Sequence, residues 1–310
     1  MDRPTRTLAL AIVLAALLAA AARAQDGLPR AQPDPPPPGA DVAAALASHL
    51  GGAQPFVQDI PRTVVSLELR PVAAGLWMAR TETTWDAYDV FVFGLDRPAT
   101  PVDAGSPEAD AGPDAMTPQA APPDAVLRPT KPHMVTDRGW GHAGYPAMSI
   151  SAAGAAAFCE WLSSVSGRRY RLPTEVEWEA ACRAGSTGAW SCGDELSALP
   201  AVAWYRENSG RRTQAVATRA PNALGLCDLH GNVAEWCRAP DGTHVVRGGS
   251  YRDPSKDLRC DARLAPEAAW NRSDPNLPKS VWWLADAPFA GFRVVCEGQP
   301  DADGAPRVAR

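Results

Sequence analysis

The cysteines have the widest chemical reach in this chain, and there are seven: Cys159, Cys182, Cys192, Cys227, Cys237, Cys260 and Cys296. A thiolate can hold a soft metal, attack an electrophile or pair into a disulfide, and an odd count leaves at least one thiol unpaired. No two of them stand in a CxxC spacing and the five histidines are scattered, so the pattern of a structural zinc site is missing. Glu175 and Glu179 open a helical stretch, where the helix dipole favours carboxylates without any catalytic duty. Asp253 and Asp257 lie four residues apart in a polar loop; they can hold a metal, although solvation is the commoner fate of such a pair. The chain contains no GxGxxG, P-loop, GxSxG or HExxH.

These residues are positioned by the stretch from Asn222 to Tyr251, which mixes Gly225, Gly231, Gly248 and Gly249 with Leu226, Leu229, Trp236 and Val245. Tight backbone among core side chains predicts loops buried against a core, whose polar groups need turns, strands or a bound ion such as calcium as partners. Before it, TVVSLEL reads as a strand, and LWMARTETTWDAYDVFVF as a strand leading into a short helix. An apolar side predicts a helix over residues 152–165 with Gly167 as its cap. Thr174 followed by Glu177 is a capping box for a helix from Glu175 to Arg183, with Gly185 as the stop. VVRGG, SVWWLAD and FAGFRVVCE supply later short strands. Without a repeated strand–helix alternation, this is an irregular α+β fold and not a doubly wound sheet.

The chain has 310 residues and a net charge of -5, with no basic run, which argues against a nucleic-acid partner. Residues 1–24 read as a secretory signal peptide: Arg3 and Arg6, an apolar run from Leu8, then Ala22-Arg23-Ala24. That run is short for a membrane span, so the expected location is secreted or periplasmic, with no span left after cleavage. Export makes disulfides possible. Residues 25–58, including Pro35 to Pro38, read as a linker; residues 59–298 form the domain; residues 299–310 are a flexible tail. A Pro-, Ala-, Asp- and Gly-rich insertion at about 97–132 reads as disordered.

RLPTEVEWEAACRAG, GLCDLHGNVAEW, VVRGGSY and AGFRVV, in that order, resemble the formylglycine-generating enzyme, or sulfatase-modifying factor, family. The resemblance implies a single irregular domain, a variant of the C-type-lectin-like fold. Enzymes of the family oxidise a cysteine in a Cys-x-Pro-x-Arg sulfatase motif to formylglycine, with copper held by two cysteines, because thiolates suit Cu(I). The matching positions here are Asp253 and Leu258, with Asp257 beside the second, so both copper ligands are missing and copper is not expected. Ser250 alone remains from the pocket, and Phe289 stands where active members carry an asparagine. The resemblance also implies disulfides Cys159–Cys296 and Cys182–Cys260, and a calcium ion on Asn222, Gly225, Cys227 and Leu229. The expectation is a non-catalytic module that binds an exported protein, peptide or glycan through Ser250, Asp253, Arg252 and the Trp282–Trp283 pair. The alternatives are a formylglycine-generating oxidase, or an enzyme of changed chemistry with a metal on Asp253 and Asp257.

Overall fold

The computed structural model describes residues 50–97, 128–130, 132 and 136–307. The expected signal peptide, most of the linker and the centre of the insertion lie outside them. Three strands open the fold: β1 (Phe56–Asp59), β2 (Ser66–Ala73) and β3 (Leu76–Ala79). With β4 (Arg169–Arg171) and β9 (Val295–Glu297) they make a five-stranded sheet in the order β1-β2-β3-β9-β4. β2 starts with the alternation of a half-buried strand: Leu67 and Leu69 go inward, Ser66 and Glu68 outward.

Helices α1 (Trp85–Phe93) and α2 (Ala152–Ser166) supply much of the main core, where Tyr88 and Phe91 meet Phe158 and Trp161. Helix α3 (Glu175–Arg183) carries Trp178 and Cys182 into a second, smaller core, and α4 (Leu199–Val202) is a single turn. A four-stranded sheet, β7-β6-β5-β8, joins β5 (Ala234–Arg238), β6 (His244–Arg247), β7 (Arg263–Leu264) and β8 (Ala290–Gly291). No described helix is long and apolar enough to cross a membrane.

One buried ion pair ties the two sheets together. Arg293 is 0% exposed and grips Glu235 of β5 through Nε and Nη2, each 2.6 Å from a carboxylate oxygen. Its remaining N–H groups donate to the carbonyls of Ala79, Arg80 and Cys227, while Trp178 Nε1 donates to Glu235 at 2.6 Å. A charge withdrawn from water persists only with such a complete set of partners.

Several expected boundaries move. Strand β1 starts inside the stretch read as linker, and Leu50 and Ala53 ahead of it are buried, so the fold begins before residue 59. The tail is packed through residue 307: Gln54 N donates to Gly304 O and Arg168 Nε to Pro306 O. Arg128, placed in the insertion, belongs to the domain, pairing with Asp96 at 2.9 Å and donating to the Phe91 carbonyl at the end of α1. SVWWLAD forms no strand beyond the single bridge of Trp283 to Ile150. Helix α3 stops at Ala184 in the left-handed region, one residue before the predicted glycine.

Candidate functional site

The loop after β6 holds the residues that matter most. Gly248 and Gly249, at φ 85° and 65°, turn it into the body, where a Cβ on Gly249 would sit 2.7 Å from Asp257 O. Asn232 anchors it: its carbonyl takes Tyr251 N–H at 2.9 Å, and its side-chain amide donates to Glu82 at 2.7 Å and accepts from Gln214 N. Burial pushes the Glu82 carboxyl well above its ordinary range.

Within that loop Ser250 is fully buried and its hydroxyl donates to Asp253 Oδ2 at 2.6 Å. Asp257 is exposed on a short 3-10 turn, and neither it nor Asp253 belongs to a cluster of three or more metal-ligating groups among the described residues. Leu258 is 0% exposed, packed in a third apolar cluster with Trp190, Leu199 and Tyr205. A carboxylate bonded to a hydroxyl and a core leucine therefore occupy the two positions where copper chemistry needs thiolates, and these residues do not fit a Cu(I) ion. Phe289 is buried against Trp270, and the Arg252 guanidinium lies 3.5 Å over its ring. Arg252 covers that phenyl face as a cation–π partner.

The sulfur atoms lie elsewhere. Every cysteine is a thiol in the structure, all buried but the half-buried Cys192. Burial holds the Cys227 and Cys296 thiols up at about 12, and raises Cys159 and Cys237 as well. The sulfurs of Cys182 and Cys260 are 2.9 Å apart, the pairing that the resemblance implies, and the S–H of Cys182 donated to Cys260 lowers the latter's pKa. Cys159 and Cys296 share the main core. His230 joins Cys182 and Cys260 with ligand atoms within 4.8 Å. Its Nδ1 faces Leu258 O at 2.8 Å and must donate; its Nε2 accepts Ser191 N–H at 3.0 Å. The imidazole has no lone pair left for a metal.

Two of the four calcium positions, Asn222 and Cys227, are engaged. Asn222 Oδ1 accepts N–H bonds from Leu224 and Leu226 at 3.0 and 3.1 Å, Cys227 O accepts from Arg293 at 2.9 Å, and the Arg70 guanidinium lies beside Gly225. Asn222 and Cys227 thus present oxygens that already accept, beside guanidinium groups, which makes these two a poor ligand set for a divalent cation. Asn222 instead braces a turn, and its amide donates to Ala181 O at the end of α3.

Beside this loop runs a cleft of about 240 Å³ lined by Arg138, Ser149, Asn271, Asp274 and Trp283 among others. Trp283 forms part of its wall but is mostly core, edge-on to Tyr88, with Nε1 donating to Thr130 O; Trp282 packs partly buried against the same core. Arg138 lies 6.0 Å over Trp140, which packs against Tyr251, so a chain of contacts links the cleft to the Ser250 loop. Arg138, Ser149 and Asn271 were not singled out from the sequence. The stretches that hold residues 138 and 271–274 are rich in turn-forming residues, but nothing local shows that residues 138 and 274 line one cleft.

A model of the sulfatase-modifying factor enzyme 1-like domain matches residues 63–275. The formylglycine-generating enzyme of Mycobacterium tuberculosis is 32% identical over 151 residues, 45% of this chain and 45% of that one. The serine/threonine-protein kinase pkn1 of Chlamydia pneumoniae is 31% identical over 164 residues, 46% of this chain and 24% of the kinase. The matched region is thus less than half the length of either relative. Among solved structures, Treponema denticola variable protein 1 shares the fold with a TM-score of 0.53 at 19% identity, covering 78% of this chain and 99% of that one. With the family model spanning more than half of its length, this chain belongs to the sulfatase-modifying factor enzyme 1-like domain family.

Proposed function

We propose that this protein is an exported binding module of the family, without formylglycine-generating activity, which takes a ligand in the cleft beside the Ser250 loop. The replacement of the thiol pair by Asp253 and buried Leu258 carries this reading, because neither side chain can ligate Cu(I) or transfer electrons to oxygen. An open and mainly apolar cleft, with Arg138 at its wall, supports binding in place of catalysis. In the exported form Cys182–Cys260 and Cys159–Cys296 pair as disulfides, which removes four of the seven thiols.

The test is a Cu(I) competition between the oxidised protein and a chromogenic chelator. The chelator is expected to keep all of its copper. Transfer of one copper per chain, lost in the Asp253→Ala variant, would overturn the reading by showing a rebuilt metal site in this loop.

A further inference from the structure

We propose that Arg138 and Arg252, together with the Tyr251 hydroxyl, bind a tetrahedral oxyanion, the sulfate or phosphate ester group of a ligand. This rests on the binding-module reading and gives it a ligand class.

Both arginines set their guanidinium groups on aromatic rings and keep their donors free. Arg252 lies 3.5 Å over Phe289, and Arg138 lies 6.0 Å over Trp140. A cation resting on a ring face uses no N–H group there, so the planar fork stays available for bidentate bonding. Both residues are exposed, and neither guanidinium donates a hydrogen bond to a described residue. The ion-pair partner of Arg252 among the described residues is Asp253, whose Oδ1 stands 3.8 Å from Nε, beyond hydrogen-bond length, while its Oδ2 accepts the Ser250 hydroxyl. Arg138 has no ion pair among the described residues.

The two charges act on one hydroxyl. The Tyr251 ring lies edge-on to Trp140 with the centroids 5.2 Å apart, and Arg252 follows it in the chain. Burial raises the pKa of the phenol; Arg252 and Arg138 both oppose that rise and Asp253 adds to it, so both guanidinium groups are within electrostatic reach of the same oxygen. That hydroxyl has no hydrogen bond among the described residues. The backbone beneath it is fixed, with Tyr251 N–H on Asn232 O and Tyr251 O accepting the Ser209 hydroxyl at 2.7 Å. Two positive charges against one carboxylate leave a net attraction for an anion. The donors narrow its class. A carboxylate has two oxygens in one plane, and a single guanidinium satisfies both. Two forks and a phenol call for three or more acceptor oxygens, which a sulfate or phosphate ester supplies.

The experiment is isothermal titration calorimetry of the purified protein with methyl sulfate, methyl phosphate and acetate, at one ionic strength set with chloride. An ester is expected to bind saturably at one site per chain and more tightly than acetate, and the tighter of the two esters identifies the source of the group. Arg138→Ala and Arg252→Gln should each weaken it about tenfold, the value of one charge-assisted contact, and Tyr251→Phe about threefold. Arg138→Lys and Arg252→Lys should recover part of the loss, because they keep the charge without the fork. Both arginines are exposed, so an unchanged melting temperature will show that the variants are folded. No saturable binding of either ester, acetate bound as tightly as the esters, or an affinity unaltered in either arginine variant would each overturn the proposal. Copper capture would contradict the non-catalytic reading without changing the ester ranking, so the two failures are distinguishable.

Discussion

His142 shows how much one side chain organises. Its Nδ1 lies 2.9 Å from Asp137 Oδ2 and its Nε2 2.8 Å from Asp89 Oδ2, with the ring stacked 5.4 Å from Trp85 of α1. Asp86 faces the same loop and takes Gly144 N–H at 2.7 Å. Only the imidazolium can donate to both carboxylates, so deprotonation breaks one bond and sets a lone pair against an oxygen. Burial opposes the charge on His142, yet the bonds to Asp89 and Asp137 hold its pKa above the ordinary value; burial raises Asp89 as well. Both shifts have the same sign: the folded protein holds protons here more tightly than the unfolded chain, so stability falls as pH rises through each group. The His142 contribution is complete below about pH 6.5 and disappears as pH climbs through the raised value. Urea unfolding across pH should show wild type more stable than His142→Gln at the acid end, with the gap closing toward alkaline pH. A gap that is constant or widens with pH would contradict this account. At stake is the loop that carries Arg138 and Trp140, and so the wall of the cleft.

At the scale of elements, α3 was legible because its signals are local. Thr174 Oγ1 accepts Glu177 N–H, and Glu177 Oε2 accepts Thr174 N–H at 2.8 Å, the reciprocal cap that the four residues announce. Arg171 adds a clamp, its guanidinium 2.7 Å from Glu177, which holds the glutamate's pKa below its usual range against the effect of burial. Thr174→Ala should cost about 1 kcal/mol in urea unfolding, and Thr174→Ser should recover most of it. Equal stability of all three proteins would show that the helix start is held by packing alone. Glu175 and Glu179, in and near the first turn of α3, are both held by Arg247 of β6, at 3.2 and 2.7 Å, a partner that nothing local in the sequence names. The 271–285 segment was illegible for the opposite reason. Asn271 and Asp274 brace it by side-chain bonds to the backbone of Ser280 and Ala285, and Trp283 reaches Thr130 across 153 positions. No periodicity records such bonds, and an aromatic, β-branched run reads locally as a strand. Strand β1 was missed because its four residues follow a Pro-rich stretch and are defined only by pairing with β2.

For the molecule as a whole, the family's frame is present, while Asp253 and buried Leu258 stand at the two positions that the resemblance assigns to thiolates. The Arg293–Glu235 pair, the Asn232 hub and the paired glycines before Ser250 come from three of the four recognisable stretches, and they hold both sheets and the loop in place. A scaffold of this kind depends on buried backbone and on one saturated ion pair, so it tolerates change in the loop side chains it displays. That separation explains why the fold and family were readable from motifs, while the ligand cleft depended on contacts between distant segments. It also locates the central claim in two side chains, Asp253 and Leu258. The most direct measurement is mass spectrometry of a Cys-x-Pro-x-Arg peptide incubated with the purified protein, copper and oxygen, beside an active formylglycine-generating enzyme. The account predicts that the peptide keeps its cysteine mass while the control converts its own. Appearance of the aldehyde product, at a rate that falls in the Asp253→Ala variant, would contradict it.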